Sequence, residues 1–315
     1  MTRRFEVGLG LQSNKRPEAY AALARQAEQY DFDVLTVFSD LMYQPPIAAL
    51  LIAAQNTSRL RLGPACLNPF TLHPVEIAGQ IAALDLASHG RAYLGLARGA
   101  WLEKIGIDHA RPVRALREAA EIVRLLLARD PAGYQGEVFS VAPGTTLQFA
   151  VQRSRIPLLI GTWSPKTAAL AGEIADEVKI GGSANPAMVR HMRGLIDAAT
   201  TRAGRSSDDV GIVVGAVTVV AEDGAAARSL ARSAAAMYLD VVGRLDPTIE
   251  RPPGDVTSDD VLDRFAMAGT PEQVAEQARA LFDAGARRVE FGSPHGLTAE
   301  AGIRLLGERV LPRLR

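Results

Sequence analysis

The chain has 315 residues, of which 48% are hydrophobic and 22% are charged. This composition is typical of a globular protein with enough apolar surface for a large core. The 35 basic and 35 acidic residues cancel, so no overall electric field favours nucleic acid or acidic membrane surfaces. The single cysteine, Cys66, excludes an intramolecular disulfide framework and a multi-cysteine zinc site, and it fits a reducing cytoplasm.

Targeting and metal-binding patterns are also missing from the sequence. No stretch of about 18 consecutive apolar residues occurs, which argues against a membrane span. The N-terminal segment reaches Glu6 before any long apolar run, which argues against a signal peptide. The five histidines show no metal-ligand spacing, although His295 is an acid–base candidate at the last strand end. We therefore expect a cytoplasmic protein that acts on a small molecule and binds no metal.

Short apolar segments alternate with amphipathic ones along most of the chain. Strands are predicted at 5–11, 34–38, 61–66, 92–97, 157–161, 177–180, 211–220 and 288–291. Helices are predicted at 17–30, 46–56, 74–87, 113–128, 165–175, 186–203, 224–242, 271–284 and 298–310. Eight strands, each followed by a helix, predict right-handed β-α-β units and one (β/α)8 TIM barrel domain over 1–315. An open doubly wound sheet is the alternative, but it would seldom use eight strands without a glycine-rich dinucleotide turn.

Two segments interrupt this alternation. Residues 130–156 are rich in glycine and proline, which favours an inserted hairpin or loop. Residues 243–268 contain Asp-Pro and Pro-Pro-Gly turns and several aspartates, which favours a second, solvated insertion. Both are expected to be loop insertions on the barrel.

The stretch 61–74 suggests where a ligand would bind. It begins as an apolar strand and continues into an Asn-Pro-Phe-Thr turn. Because Pro69 has no backbone donor, the chain must leave the sheet at 66–68, just past the carboxyl end of the strand. In α/β barrels that rim carries the ligand site.

Two later strand ends have features of a phosphate site. Residues 161–165, Gly-Thr-Trp-Ser-Pro, lead directly into a helix N-terminus, where free N–H groups and the dipole favour an anion. Residues 181–183, Gly-Gly-Ser, allow close approach to the backbone. Alternatively, Ser164 only caps the helix and the glycines are turn residues.

Four single residues at strand ends are further candidates. Asp40 is the only carboxylate at an early strand end, suited to a hydrogen bond with a polar heterocycle or with backbone. Arg98 could hold an anion or could pair with an acid such as Glu103. Cys66 has no evident partner base, so a buried inert thiol is the better interpretation. Trp163 could form an aromatic wall against a flat cofactor or could cover the core.

Several of these segments resemble the bacterial luciferase-like superfamily, and most of all the coenzyme F420-dependent methylenetetrahydromethanopterin reductases. The segments are Leu-Gly-Pro-Ala-Cys-Leu-Asn-Pro-Phe-Thr-Leu-His-Pro (62–74), Ile-Ala-Ala-Leu-Asp-Leu-Ala-Ser-His-Gly-Arg-Ala (81–92), Gly-Glu-Ile-Ala-Asp-Glu-Val (172–178), Ala-Gly-Thr-Pro-Glu-Gln-Val (268–274) and Phe-Gly-Ser-Pro-His-Gly (291–296). The resemblance covers almost the whole chain. Together these segments are specific for the superfamily, but much less so for a substrate.

The resemblance implies a TIM barrel, usually in a homodimer, with a deazaflavin or flavin at the carboxyl rim. It also implies a cis peptide bond between Ala65 and Cys66 that supports the ring from behind. The residues that it places near the ring or ribityl chain are Ser39, Asp40, Ala65, Cys66, Asn68, Arg98 and Gly99. The residues that it places around the cofactor phosphate are Gly161, Thr162, Trp163, Gly181 and Gly182.

Two positions depart from the family pattern. The pterin reductases carry an acid on the first strand, where this chain has Gly10, and this argues against that specific activity. Many deazaflavin-dependent members carry His where this chain has Leu41. The leading hypothesis is an F420-dependent oxidoreductase that transfers hydride between the deazaflavin and a small organic substrate, with Asp40 as the catalytic candidate. The alternatives are an FMN-dependent monooxygenase, supplied with reduced flavin by a partner reductase, and a cofactor-binding protein without turnover.

Overall fold

The computed structural model describes residues 5–249 and 258–315. Eight parallel strands surround a central axis, and helices pack outside them. The barrel strands are β1 (Glu6–Leu11), β2 (Val34–Phe38), β3 (Arg61–Ala65), β4 (Leu94–Ala97), β7 (Leu158–Gly161), β8 (Glu177–Gly181), β9 (Gly211–Val220) and β11 (Arg288–Gly296). Three short strands lie outside this set: β5 (Tyr134–Gln135), β6 (Ser140–Val141) and β10 (Ala266–Gly269).

The strand order shows that the sheet closes on itself. Hydrogen-bonded neighbours run β3-β2-β1-β11-β9-β8-β7-β4, and every one of these pairs is parallel. The two ends of this order meet through bridges from Leu62 to Ala92 and from Leu67 to Leu96. The architecture is therefore a (β/α)8 barrel, as predicted, and the open doubly wound alternative is excluded.

The helices form the outer layer of the barrel. They are α1 (Pro17–Gln29), α2 (Pro46–Gln55), α3 (Pro74–Ala87), α4 (Pro112–Leu127), α5 (Pro165–Ile174), α6 (Pro186–Arg202), α7 (Gly224–Val242), α8 (Asp259–Phe265), α9 (Pro271–Asp283), α10 (Ala299–Leu305) and α11 (Leu311–Leu314). Seven of them, α1–α6 and α9, begin with proline. Its fixed φ suits the first helical turn and its missing N–H would be unpaired there anyway, which is why these starts were predictable to within one residue.

The insertion predicted at 130–156 is confirmed as a hairpin. Its strands β5 and β6 pair antiparallel, and a buried carboxylate on α4 holds the turn between them. Glu118 accepts hydrogen bonds from the amides of Glu137, Val138 and Phe139, each at 2.9 Å. These three bonds lower the pKa of Glu118, although burial opposes them.

The prediction for 243–268 was wrong in part, because the second half of this segment is built into the barrel. Residues 250–257 lie outside the described residues, but α8 follows them and leads directly into β10. That strand pairs in parallel with β9, from Ala266 beside Val217 to Gly269 beside Val220. All four residues of β10 are buried, so this part is not a solvated loop.

The last barrel strand is also longer than predicted. It was expected to end at Phe291, but β11 continues to Gly296 across a register shift between Gly292 and His295. The Ser293–Pro294 peptide bond is cis in this stretch. As a result His295 is part of a strand and fully buried, rather than on an exposed loop beyond the sheet.

Candidate active site

Asp40 lies at the carboxyl end of β2 and is held by a neighbour from the end of β1. Its Oδ2 accepts a hydrogen bond from Nε2 of the buried Gln12 at 3.0 Å. Burial raises the pKa of Asp40, whereas the Gln12 hydrogen bond and the charge of Lys179 lower it, and burial prevails. Asp40 therefore takes up a proton more readily than an exposed aspartate does, which suits proton transfer.

The turn after β3 lies beside Asp40 and provides the rear surface of the rim. The Ala65–Cys66 peptide bond is cis, which confirms the expectation from the resemblance. Ser39 ties the ends of β2 and β3 together, since its N–H donates to the carbonyl of Ala65 at 3.2 Å. Ser39, Ala65 and Cys66 are half-buried, so this surface is both supported from below and accessible.

Cys66 points its sulfur toward the ends of the neighbouring strands. A methyl group added at Gly161 would lie 2.9 Å from Sγ, and one added at Gly95 would lie 3.4 Å from it. Burial raises the pKa of the Cys66 thiol to about 12. The thiol is therefore neutral at physiological pH and is not a nucleophile, in agreement with the interpretation from the sequence.

The oxygen and the nitrogen of the Asn68 side chain have different roles. Its Oδ1 accepts hydrogen bonds from the N–H of Phe70 at 3.1 Å and of Thr71 at 2.9 Å, which fixes the turn out of the sheet. Its Nδ2 makes no hydrogen bond within the described residues and lies next to Gly99, where an added methyl group would approach it to 3.0 Å. The donor is therefore available to a ligand.

Arg98 at the end of β4 is exposed. Its Nε makes one long hydrogen bond, 3.4 Å, to the carbonyl of Gly99. Among the described residues no carboxylate lies within ion-pair distance of it, so the pairing with Glu103 considered above does not form. Its charge is free to attract an anion at the rim.

The ends of β7 and β8 are joined by hydrogen bonds that use some of the predicted phosphate-binding amides. The N–H of Thr162 donates to the carbonyl of Lys179 at 3.0 Å, and the N–H of Gly182 donates to that of Gly215 at 2.6 Å. The indole of Trp163 donates to the carbonyl of Gly181 at 3.0 Å. The amides of Thr162 and Gly182 are therefore occupied, and Trp163 is fixed in place across the two strand ends.

The N-terminus of α5 nevertheless keeps unpaired donors. Ser164 occupies the cap position, but its side chain accepts no hydrogen bond from the helix, so the capping interpretation from the sequence is wrong. The exposed Lys166 lies in the same turn. In front of Gly181, an added methyl group would meet no atom within 4 Å. This corner of the rim combines open space, free amides and positive charge.

The pattern of these strand ends is matched by a known family along nearly the whole chain. A family described as luciferase-like monooxygenase matches residues 3–288. The chain belongs to the luciferase-like monooxygenase family.

Within this family, several relatives are similar over their full length. The chain is 28% identical to the 5,10-methylenetetrahydromethanopterin reductase of Methanopyrus kandleri, over 98% of both chains. It is 31% identical to that of Archaeoglobus fulgidus, over 92% of this chain and 93% of the relative. It is 28% identical to the F420-dependent glucose-6-phosphate dehydrogenase of Microbacterium testaceum, over 82% of this chain and 80% of the relative.

A solved structure gives the same picture. The structure of the coenzyme F420-dependent tetrahydromethanopterin reductase from Methanopyrus kandleri superposes with a TM-score of 0.89 at 27% identity, covering 99% of this chain and 100% of that one. An F420-dependent secondary alcohol dehydrogenase superposes with a TM-score of 0.83 at 19% identity, which shows the shared fold. Among the described residues of this luciferase-like protein, no helix is long and apolar enough to cross a membrane.

Phe38 explains why this family member has glycine on its first strand. A methyl group added at Gly10 would lie 2.6 Å from Cζ of Phe38, and one added at Gly292 would lie 3.6 Å from it. The Phe38 ring therefore fills the space above both glycines and forms an apolar floor. An acidic side chain at position 10 would require the Phe38 ring to move.

Two further residues near Asp40 were missed in the sequence, Lys179 and Tyr238. Lys179 is buried inside the barrel and could have been noticed because Glu177 and Lys179 alternate along an otherwise apolar strand. Tyr238 comes from α7, and the charge of Asp40 is among the causes that raise the pKa of its hydroxyl, after burial. No pattern pointed to Tyr238, because its position depends on how α7 packs over the rim.

Proposed function

We propose that this protein is an F420-dependent oxidoreductase that transfers hydride between the deazaflavin and a small organic substrate. The observation that carries the proposal is full-length similarity to relatives whose names specify this coenzyme or a reaction on a small molecule. Family membership alone would leave the cofactor open, since flavin enzymes share the fold. The residues at the rim must therefore be compatible with a flat ring and an anionic tail.

The part of the rim around β2 and β3 fits the ring. The cis peptide between Ala65 and Cys66 would lie behind it, while the Asp40 carboxyl and the free Nδ2 of Asn68 would meet its polar edge. Ser39 would lie alongside. These groups offer a donor from the buried Asn68 and an acceptor from the half-buried Asp40, as a polar heterocycle requires.

The part of the rim around β7 and β8 fits an anionic tail. Gly161, Thr162, Trp163, Gly181 and Gly182 would surround the phosphate, with the uncapped start of α5 and the charge of Lys166 providing attraction. The amides of Thr162 and Gly182 already donate hydrogen bonds within the protein. We therefore propose that these residues let the phosphate come close to the backbone but donate no hydrogen bond to it. Arg98 and Gly99 would lie between the two parts of the site.

In this assignment the cofactor supplies the hydride chemistry, and the protein supplies orientation and a proton. Asp40 is the group that holds that proton. Burial favours its neutral form, and Gln12 fixes the direction of the carboxyl. The Phe38 ring and the neutral Cys66 thiol keep water from the floor of the site. Gly10 leaves no second acid there, so we infer a substrate other than a methylene-pterin.

The proposal is tested by binding and by turnover. Titration of the purified protein with F420 and, separately, with FMN should quench tryptophan fluorescence only with F420. Asp40→Asn should retain F420 binding and lower the rate of hydride transfer by about 10²- to 10⁴-fold. The matched control Asp283→Asn changes an exposed aspartate on α9 and should leave both F420 binding and the rate of hydride transfer unchanged.

Binding of FMN but not F420 would overturn the assignment and favour the monooxygenase, which would also need a partner reductase. Binding of F420 without turnover of any acceptor would instead favour a cofactor-binding protein.

We also propose that the enzyme is a cytoplasmic homodimer. Full-length similarity to the F420-dependent relatives supports the comparison with dimeric members of the superfamily, and the reduced Cys66 thiol is compatible with a reducing compartment. Light scattering after size-exclusion chromatography measures the mass directly. A monomer at all concentrations would contradict the dimer.

A further inference from the structure

A buried ion pair lies inside the barrel directly below the rim. Lys179 on β8 and Glu290 on β11 are in contact through Nζ and Oε2, and their side chains are 6% and 1% exposed. Burying two charges is costly unless other groups satisfy them as well. An ion pair buried this close to the proposed site is therefore a candidate for a functional role.

The rest of the barrel interior fixes Glu290 in place. Its Oε1 accepts a hydrogen bond from the hydroxyl of Thr36 at 2.9 Å and lies 3.0 Å from Nε of Arg288. The positive charges of Lys179 and Arg288 lower the pKa of Glu290 despite its burial. Glu290 is therefore a fixed negative charge, and Lys179 is held by it rather than free to turn toward solvent.

Lys179 in turn faces the rim. Its Nζ lies 5.4 Å from the centre of the Phe38 ring, two residues before Asp40 on the same segment. Its charge is among the influences on both Asp40 and Cys66. A cation thus approaches the floor of the site from below, while Gln12 contacts Asp40 from the side.

We propose that Lys179, held by Glu290, is a positioning residue that sets the proton affinity of Asp40 from inside the barrel. This proposal rests on the proposed function in one respect, which is the catalytic role of Asp40. Burial raises the pKa of this carboxyl, and a fixed cation in low dielectric counteracts the effect of burial. Asp40 can then both give up and regain a proton within one reaction cycle.

The other groups around Asp40 and Lys179 do not provide this balance. Gln12 from β1 is neutral, and the Cys66 thiol from β3 is neutral because burial raises its pKa to about 12. Tyr238 from α7 is a neutral phenol at physiological pH, because burial raises the pKa of its hydroxyl. Tyr43, from the loop after β2, has no cationic group. Glu290 carries a negative charge, which would raise the proton affinity of Asp40. Among the described residues, Lys179 is a cation inside the barrel whose charge lowers the pKa of Asp40.

The experiment follows the titration of Asp40 itself, in the full-length protein without cofactor. Aspartate side chains are labelled with carbon-13 at the carboxyl, and the Asp40 signal is identified by its loss in Asp40→Asn. In Lys179→Met, the titration midpoint of Asp40 should rise by roughly one pH unit. In Glu290→Gln, which preserves the shape but leaves Lys179 uncompensated, it should fall. Lys179→Arg should restore a midpoint near that of the original protein.

Shifts of opposite sign are the result that a purely structural role cannot produce, since general loosening of the barrel would move both midpoints the same way. If Lys179→Met does not fold, Lys179→Gln, which also removes the charge, takes its place in the comparison with Glu290→Gln. An unchanged midpoint in the folded variants, or shifts of the same sign, would overturn the proposal. Because the measurement needs no F420, failure of the cofactor assignment would appear separately, in the binding titration.

Discussion

Charged and polar side chains at the two ends of the barrel differ in whether they have partners within the protein. At the amino-terminal end, Glu6 and Arg61 lie 2.9 Å apart, Arg61 and Glu177 3.2 Å, and Glu177 and Arg288 3.1 Å. Every charge there has an opposite charge beside it. At the carboxyl rim, Arg98 has no carboxylate partner among the described residues, and the Nδ2 of Asn68 makes no hydrogen bond there.

This difference separates stability from function. Charges at the amino-terminal end satisfy one another, so they hold strands together and leave nothing for a ligand. Polar groups at the rim retain unused donors and charge, which cost stability but are available for binding. Lys179 and Glu290 lie between the two ends and continue the paired network up to the floor of the site.

The largest expected effect is at the paired end. Arg288→Met should lower the free energy of unfolding by about 3–5 kcal/mol, because it removes a fully buried cation and leaves Glu177 and Glu290 each with one cationic partner fewer. The guanidinium also lies 5.2 Å from the centre of the Tyr93 ring, a contact that Met does not replace electrostatically. Denaturant unfolding followed by circular dichroism measures the loss.

The matched control for this change is the same substitution at the rim. Arg98→Met removes an exposed cation without an acidic partner and should change the free energy of unfolding by less than about 0.5 kcal/mol. If the two variants lose similar stability, the distinction between a paired end and an available end is incorrect.

The sequence was a good guide to the barrel because its strand ends carry strong local signals. Proline at the first position of seven helices and glycine or proline after several strands fixed most boundaries to within a residue or two. The apolar, β-branched run 211–220 matched β9 without error. Such signals depend on the backbone of a few neighbouring residues, so they survive without knowledge of the fold.

The residues that were missed depend on contacts across the barrel. Gly10 looked like a missing acid, and only the packing of Phe38 from β2 shows that a side chain there would collide with the ring. The backbone amides expected to bind phosphate were chosen from the sequence pattern. In the structure, the N–H of Gly182 is one of them and already donates to the carbonyl of Gly215. Pairing between strands that are distant in the chain has no local signature.

A second prediction concerns His295, a rim residue that is fully buried. Its Nε2 lies 3.0 Å from the carbonyl of Gly10, and its buried Nδ1 has no partner among the described residues. Burial lowers the pKa of His295 from 6.5 to about 4. Between about pH 6.5 and 4 this histidine is therefore protonated in the unfolded chain but neutral in the folded protein. The free energy of unfolding should fall by about 3 kcal/mol as pH drops through this range, and His295 should not change it above pH 6.5.

His295→Gln provides the reference for that measurement. The glutamine amide can still donate to Gly10, but it does not titrate. Carboxylates also contribute to acid unfolding, so the difference in pH slope between the two proteins isolates the histidine. Equal slopes between pH 6.5 and 4 would show that His295 can be protonated in the folded state, and hence that this part of the rim is open.

The smallest expected effect is the binding contribution of Arg98. If its unpaired charge attracts the anionic tail of the cofactor, Arg98→Met should weaken F420 binding by roughly 1.5- to fivefold at low salt, the range for one exposed ion pair. The loss should shrink as ionic strength rises, because salt screens an exposed charge. Arg129→Met removes an exposed arginine after the end of α4 and changes the net charge equally, so it separates a local contact from the overall field. Equal weakening by both substitutions would mean that Arg98 acts only through net charge, and that the unpaired groups at the rim are not specific to the ligand.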